Sequence, residues 1–195
     1  VIYQHKSEGV QVFSRATASI MDNLLKEVVV KGATTQFYSE LKNVNGAAAS
    51  ADWMGKTGTT DNFADAWLIV STPGITLGGW AGYDNNTPTN SKTGYTYNAQ
   101  YMARLTSAIY NANPGIFKTG DKFNMDSSAI KASVLKSTGL KPATVSVNGR
   151  NVSVSGEMVD TYWAKNGPGD TTYRFAIGGT DSDYQKAWSS ILGGH

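Results

Sequence analysis

One short run of the chain, Lys56-Thr57-Gly58-Thr59-Thr60, gathers a cation, three hydroxyls and a residue without a Cβ. As an extended segment it is equipped to hold an anionic, peptide-like ligand. Lys56 is a compact point charge that can hold a carboxylate or steer a proton. Thr57 and Thr59 offer hydroxyls, and strand alternation puts them on the face opposite Lys56 and Gly58 unless the strand twists or bulges. Gly58 lets another backbone lie directly against the strand and pair with it. The Thr59 N–H is then available as an oxyanion donor.

The same tripeptide recurs at Lys92-Thr93-Gly94 and Lys118-Thr119-Gly120, so the residues alone are not distinctive. Their settings separate them. Lys92 sits in an Asn/Thr/Ser stretch and Lys118 in a Gly/Asp/Asn-rich stretch after Pro114-Gly115, and both read as loops. Only Lys56 opens a strand. Asp65-Ala66-Trp67-Leu68-Ile69-Val70 and Ile75-Thr76-Leu77-Gly78-Gly79-Trp80 follow it as two further strands joined by Ser71-Thr72-Pro73-Gly74. In that turn Pro73 presets the first corner, and Gly74 is expected to supply the positive φ of a type II turn. Residues 49 to 84 therefore predict three adjoining antiparallel strands.

Gly55-Lys56-Thr57-Gly58-Thr59-Thr60, Asp65-Ala66-Trp67-Leu68-Ile69-Val70 and Gly79-Trp80-Ala81-Gly82-Tyr83-Asp84 resemble the third box and following strands of a penicillin-binding protein transpeptidase domain. The resemblance is to the bifunctional class A enzymes of Gram-positive bacteria. It is specific over residues 14 to about 115 and weaker beyond. The superfamily carries S-x-x-K, S-x-N and K-T-G boxes in that order, with serine as nucleophile. Here the order fails. Ser39-Glu40-Leu41-Lys42 lies too near Lys56, while Ser133-Val134-Leu135-Lys136 and Ser146-Val147-Asn148 lie after it. The first two read as surface residues and the third as a hairpin turn. The resemblance thus implies that the nucleophile is absent and that this chain is a C-terminal piece of a larger protein.

Composition agrees with such a piece. Formal net charge is +2 and only 16% of the 195 residues are charged, too balanced for a nucleic-acid partner. Without cysteine there is neither a disulfide framework nor a thiolate metal site. No cofactor or metal is expected. No apolar run approaches the roughly twenty residues that span a bilayer, and no signal peptide opens the chain. With 21 Gly and 10 Tyr, the surface resembles that of a secreted β-rich protein.

Along the chain, Val1-Ile2-Tyr3 and Val10-Gln11-Val12-Phe13 read as strand remnants, and a start in mid-strand without methionine suggests truncation. Ser14 caps a helix from Arg15 to Val30 with Ile20, Leu24 and Val28 on one stripe. A short helix is expected near Thr35 to Leu41. Asp61 and Asp65 read as solvated loop carboxylates. Residues 85 to 98 read as a long polar excursion, after which Asn98 caps a helix from Ala99 to Tyr110 that Pro114 stops. Residues 1 to 115 then form the C-terminal portion of the transpeptidase domain, and residues 116 to 195 a small C-terminal domain. In the latter, Thr144–Val147 and Asn151–Val154 flank Asn148-Gly149, a strong hairpin signal. A strand over 172–177 and a helix over 183–192 complete it, with Tyr162, Trp163 and Tyr173 as core aromatics. His5 and His195 have no visible partner and take no role.

The fold class expected is α+β, part of the serine transpeptidase/β-lactamase-like fold with a small α+β appendage. The resemblance implies acyl transfer: a serine in the missing segment attacks a peptidoglycan stem peptide, and an amine resolves the acyl-enzyme into a cross-link. Lys56 would serve the proton network. Thr57, Gly58, Thr59 and Thr60 would bind the peptide and its carboxylate, with the Thr59 N–H in the oxyanion hole. β-Lactams would acylate the same serine. The implied partners are the upstream part of the protein, the stem peptide and β-lactams. The implied location is the outer face of the cytoplasmic membrane, with the anchor and a glycosyltransferase domain upstream. Two alternatives stay open, a carboxypeptidase or β-lactamase on the same fold, and a non-enzymatic module whose aromatics grip cell-wall glycan.

Overall fold

The computed structural model describes residues 9–89, 91–147 and 149–171, with positions 182 and 186 besides. Within them the chain is α+β, built from helices and antiparallel strand pairs. It divides into two compact units, Ala18–Met125 and a second of Val1–Thr17 with Asp126–His195. The strands expected at Val1–Tyr3 and 172–177, the helix over 183–192, and His5, Tyr173 and His195 lie outside the described residues.

The first unit is organised on a three-stranded sheet in the order β1 (Met54–Thr59), β2 (Asp65–Ser71), β3 (Thr76–Gly82). Alternation along β2 decides which side is inside: Ala66, Leu68 and Val70 are buried, whereas Trp67 and Ile69 are exposed. On the buried side pack α4 (Ser91–Ala112) and, against α4, α2 (Thr35–Val44). Phe37, Leu41, Leu68, Val70, Met102 and Phe117 form the centre of that core. Burial of each such side chain stabilises by about 1.5–3 kcal/mol. Trp53, just ahead of β1, meets Phe37 edge-on at 5.5 Å and Phe117 at 6.1 Å between centroids. Its indole N–H donates to the Ala48 carbonyl at 3.0 Å, at the short helix α3 (Gly46–Ala49). The start of β1 is therefore fixed both by packing and by a satisfied buried donor.

Helix α1 (Arg15–Val30) forms where expected, with the Ser14 hydroxyl accepting the Thr17 N–H at 3.1 Å. Its inward face differs from the apolar stripe. Ser19 and Val29 are buried while Met21 and Leu24 are 52% and 56% exposed. On the same helix Lys26 donates to Asp52 Oδ2 at 2.8 Å, and Asp52 also accepts the Phe123 N–H.

Four further expectations are corrected. Helix α4 begins at Ser91, so Lys92-Thr93-Gly94 is its first turn and not a loop. Asn98 is no cap but a buried mid-helix residue whose Nδ2 donates to the carbonyls of Ala66 at 2.8 Å and Gly79 at 3.1 Å. The β2–β3 turn is held by the Thr72 hydroxyl, which accepts the N–H of Gly74 and of Ile75. Gly74 is not among the positive-φ glycines. It is required instead because a Cβ there would lie 2.0 Å from the Ile116 carbonyl oxygen. Finally, Val10–Phe13 forms no strand, and its apolar side chains are exposed.

The second unit pairs β4 (Ile130–Leu135) with β7 (Met158–Trp163), and β5 (Ala143–Val147) with β6 (Arg150–Val154). The β5–β6 hairpin was legible, and Gly149 takes φ +77 at its turn. The β4–β7 pair was not, because its partners stand far apart in sequence. Lys131 and the Ser133 hydroxyl both donate to Asp160 across it, Lys131 at 2.8 Å, and Lys136 pairs with Glu157 at 3.0 Å.

Candidate functional site

Strand β1 carries the candidate residues, and it is an outer strand, paired on one side with β2 and on the other with no strand among the described residues. Register sorts the candidates. Lys56 lies opposite Ile69, and Gly58 opposite Trp67, which in turn faces Trp80. All of these share the open face of the sheet. Thr57 lies opposite Leu68, and Thr59 opposite Ala66, on the side that carries α4. The structure thus separates Lys56 from Thr57 and Thr59 by the thickness of the sheet. They come together only along the free rim of β1, which is reachable from both sides.

Lys56 is exposed, and its ammonium folds back to donate to the Thr57 carbonyl at 2.8 Å. Among the described residues, open depressions in the first unit include three that Lys56 does not line. One, of about 340 Å³, lies at the far end of β1 between Thr60, Asp61, Asn62, Asp65 and Asn86. A second, of about 360 Å³, lies against Gly82, Tyr83, Thr89 and Tyr97, and a third, of about 480 Å³, on α4 between Tyr97, Tyr101 and Arg104. On the open face Trp67 and Trp80 are register partners on neighbouring strands, 46% and 41% exposed.

The end of β1 is tied more closely than the sequence suggested. The Thr60 hydroxyl accepts the Asp65 N–H at 2.9 Å and donates to Asp65 Oδ2 at 2.9 Å, while the Thr60 N–H donates to the Asp65 carbonyl at 3.2 Å. Asp65 Oδ1 accepts the indole N–H of Trp80 at 2.8 Å. Asp65 is therefore no solvated loop carboxylate: both oxygens are engaged, and Thr60 spends its hydroxyl on them. Between the two residues the chain turns through Asn62 and Phe63, both at left-handed φ, +55 and +56. Asn tolerates that region but Phe does not, so the turn is strained at Phe63. The Phe63 carbonyl accepts the Thr89 N–H at 3.0 Å, which helps hold it. A Thr and an Asp bracketing a tight turn is a weak signal in sequence, and the partner Trp80 is not near either of them along the chain.

The remaining matches to the serine boxes do not assemble a nucleophile. Ser39 and Lys42 lie on α2, but Lys42 places its ammonium 4.4 Å from the Tyr38 ring centroid. Ser133 is on β4 and Lys136 follows it; a strand points residues three apart to opposite faces, and each is engaged elsewhere, Ser133 with Asp160 and Lys136 with Glu157. Ser146 is in β5 opposite Asn151, next to the hairpin turn. Among the described residues no three His, Asp or Glu side chains group as metal ligands, and no helix is long and apolar enough to cross a membrane.

No family model matches the chain. Three individual proteins do. Penicillin-binding protein 1F of Bacillus subtilis is 39% identical over 85 residues, 43% of this chain and 11% of that protein. Penicillin-binding protein 1A of Aquifex aeolicus is 33% identical over 84 residues, again 43% of the chain and 10% of the relative. Penicillin-binding protein 4 of Bacillus subtilis is 29% identical over 89 residues, 46% of the chain and 12% of the relative. The match spans little more than a tenth of the length of each relative. Over that part of its sequence, this chain is similar to these penicillin-binding proteins.

Proposed function

We propose that this chain is the part of a peptidoglycan D,D-transpeptidase that supplies the K-T-G strand, in the serine transpeptidase/β-lactamase-like fold, and that the serine nucleophile comes from polypeptide outside it. The observation that carries this reading is the position of Lys56-Thr57-Gly58-Thr59 on a strand with one rim that pairs with no strand among the described residues. A rim that no neighbouring strand occupies, beside a glycine, is what an extended stem peptide needs to add itself as a strand. In this reading the terminal carboxylate of the peptide is held by Thr57 and Thr59, with Gly58 and Thr60 framing it. The Lys56 ammonium joins the proton network of the arriving serine, and the Thr59 N–H stabilises the oxyanion. Loss of one such donor typically costs about 2.7–4 kcal/mol in the transition state. A protein that cross-links peptidoglycan in this way works on the outer face of the cytoplasmic membrane, with its anchor elsewhere in the polypeptide. It is acylated by β-lactams.

The test is labelling by a fluorescent penicillin. The intact protein should be labelled and the isolated 195-residue chain should not. In the intact protein, Lys56→Ala should nearly abolish labelling, whereas Lys92→Ala and Lys118→Ala should leave it. Equal losses at all three lysines would overturn the assignment. A second reading, a glycan-gripping module, is favoured by the exposed Trp67–Trp80 pair. It would be supported by glycan binding of the intact protein with no penicillin label.

A further inference from the structure

We propose that Asp65 is a positioning residue for the Thr59 N–H, an assignment that rests on the transpeptidase reading above. Thr59 is the last residue of β1, and the aim of its N–H depends on where the strand ends. That end is not left to the ladder. Thr60, the next residue, is bound to Asp65 by three hydrogen bonds, two through its hydroxyl and one through its backbone N–H. Asp65 is bound in turn to Trp80 Nε1, so one carboxylate joins the end of β1, the start of β2 and the middle of β3. Gly82 makes room for this: a Cβ there would lie 2.7 Å from the Trp80 ring and 3.0 Å from Asp65 Oδ1. The strained Asn62–Phe63 turn spans the gap between Thr60 and Asp65. A strained loop closed by a multiply bonded clasp is a rigid connection, and rigidity is what an oxyanion donor needs, since a displacement of about 1 Å can cost roughly a hundredfold in rate.

Asp65 touches no reacting atom in this scheme, so its effect must appear as a split between chemistry and binding. In the intact protein, Asp65→Asn keeps the shape but cannot accept from both Thr60 and Trp80. The expected result is a first-order acylation rate by a chromogenic β-lactam that falls roughly ten- to a hundredfold, with the dissociation constant of the preceding complex unchanged within about twofold. Thr60→Val and Trp80→Phe each remove one partner and should move the same rate in the same direction. The double variant Asp65→Asn with Thr60→Val should be no slower than the worse single one, because the pair acts as a unit. A melting curve keeps loss of fold apart from loss of aim. Unchanged acylation in Asp65→Asn, or a loss confined to the dissociation constant, overturns the positioning role while leaving the transpeptidase reading intact. A wild-type protein that takes no label at all overturns that reading first.

Discussion

Asn98 shows how a single side chain sets the relation between helix and sheet. Its amide reaches from the middle of α4 to two carbonyls, one on β2 and one on β3. It fits only because residue 79 is glycine: a Cβ there would stand 2.5 Å from Met102 Sδ and 2.6 Å from Asn98 Oδ1. Asn98→Ala should therefore destabilise the fold by about 1–3 kcal/mol through lost hydrogen bonds in a buried place. Gly79→Ala should cost about as much through overpacking. Urea unfolding checks both, and a wild-type midpoint in either variant would contradict the account. In sequence Asn98 looked like a helix cap, because the same residue types that accept a helix N–H also serve as buried donors. Asp65 was misjudged for a similar reason: its partner Trp80 reaches it through space, and nothing in the Asp61–Asp65 spacing announces an indole N–H.

Among the elements, the antiparallel hairpins were the legible part. The β2–β3 and β5–β6 pairs announce themselves by local alternation and turn residues, and both are formed. Pairs with distant partners, such as β4 with β7, leave no local trace. That pair also makes a pH prediction. The hydrogen bond from Lys131, then that from Ser133, holds the Asp160 carboxyl below its ordinary value of 3.8. The hydrogen bond to Asp160 and its charge raise Lys131 above 10.5. A lowered carboxyl contributes stability above its ordinary value and loses it as pH falls through the folded one; a raised lysine contributes below its ordinary value and loses it as pH rises through the folded one. The β4–β7 contribution should thus be level between about pH 4 and 10 and weaken beyond both ends, modestly, since the pair is exposed. Cross-strand NMR contacts of Ser133 and Asp160 across that range would report it. Asp160→Asn should flatten the profile, and an identical acid loss in that variant would count against the pair.

For the molecule as a whole, the unequal treatment of the two sheet faces is the main fact. One side of the three-stranded sheet has helices over it; the other presents Lys56, Trp67, Ile69 and Trp80 to solvent. On the transpeptidase reading, polypeptide outside this chain lies over them. In variants that retain only Trp67 or Trp80, acrylamide should quench the tryptophan strongly in the isolated chain and weakly in the intact protein. Trp53, 3% exposed, serves as the protected control in both. Equal quenching of Trp67 in the two forms would mean that nothing covers this face. The free rim of β1 carries one more implication. Proteins ordinarily keep such margins from sticking to their own kind by capping, bulging or charge, and on the transpeptidase reading a margin left bare for a guest relies on charge. Lys56 is the cation stationed there, so neutralising it should also lower soluble yield and promote clumping, and Lys56→Arg should restore solubility even where it does not restore chemistry.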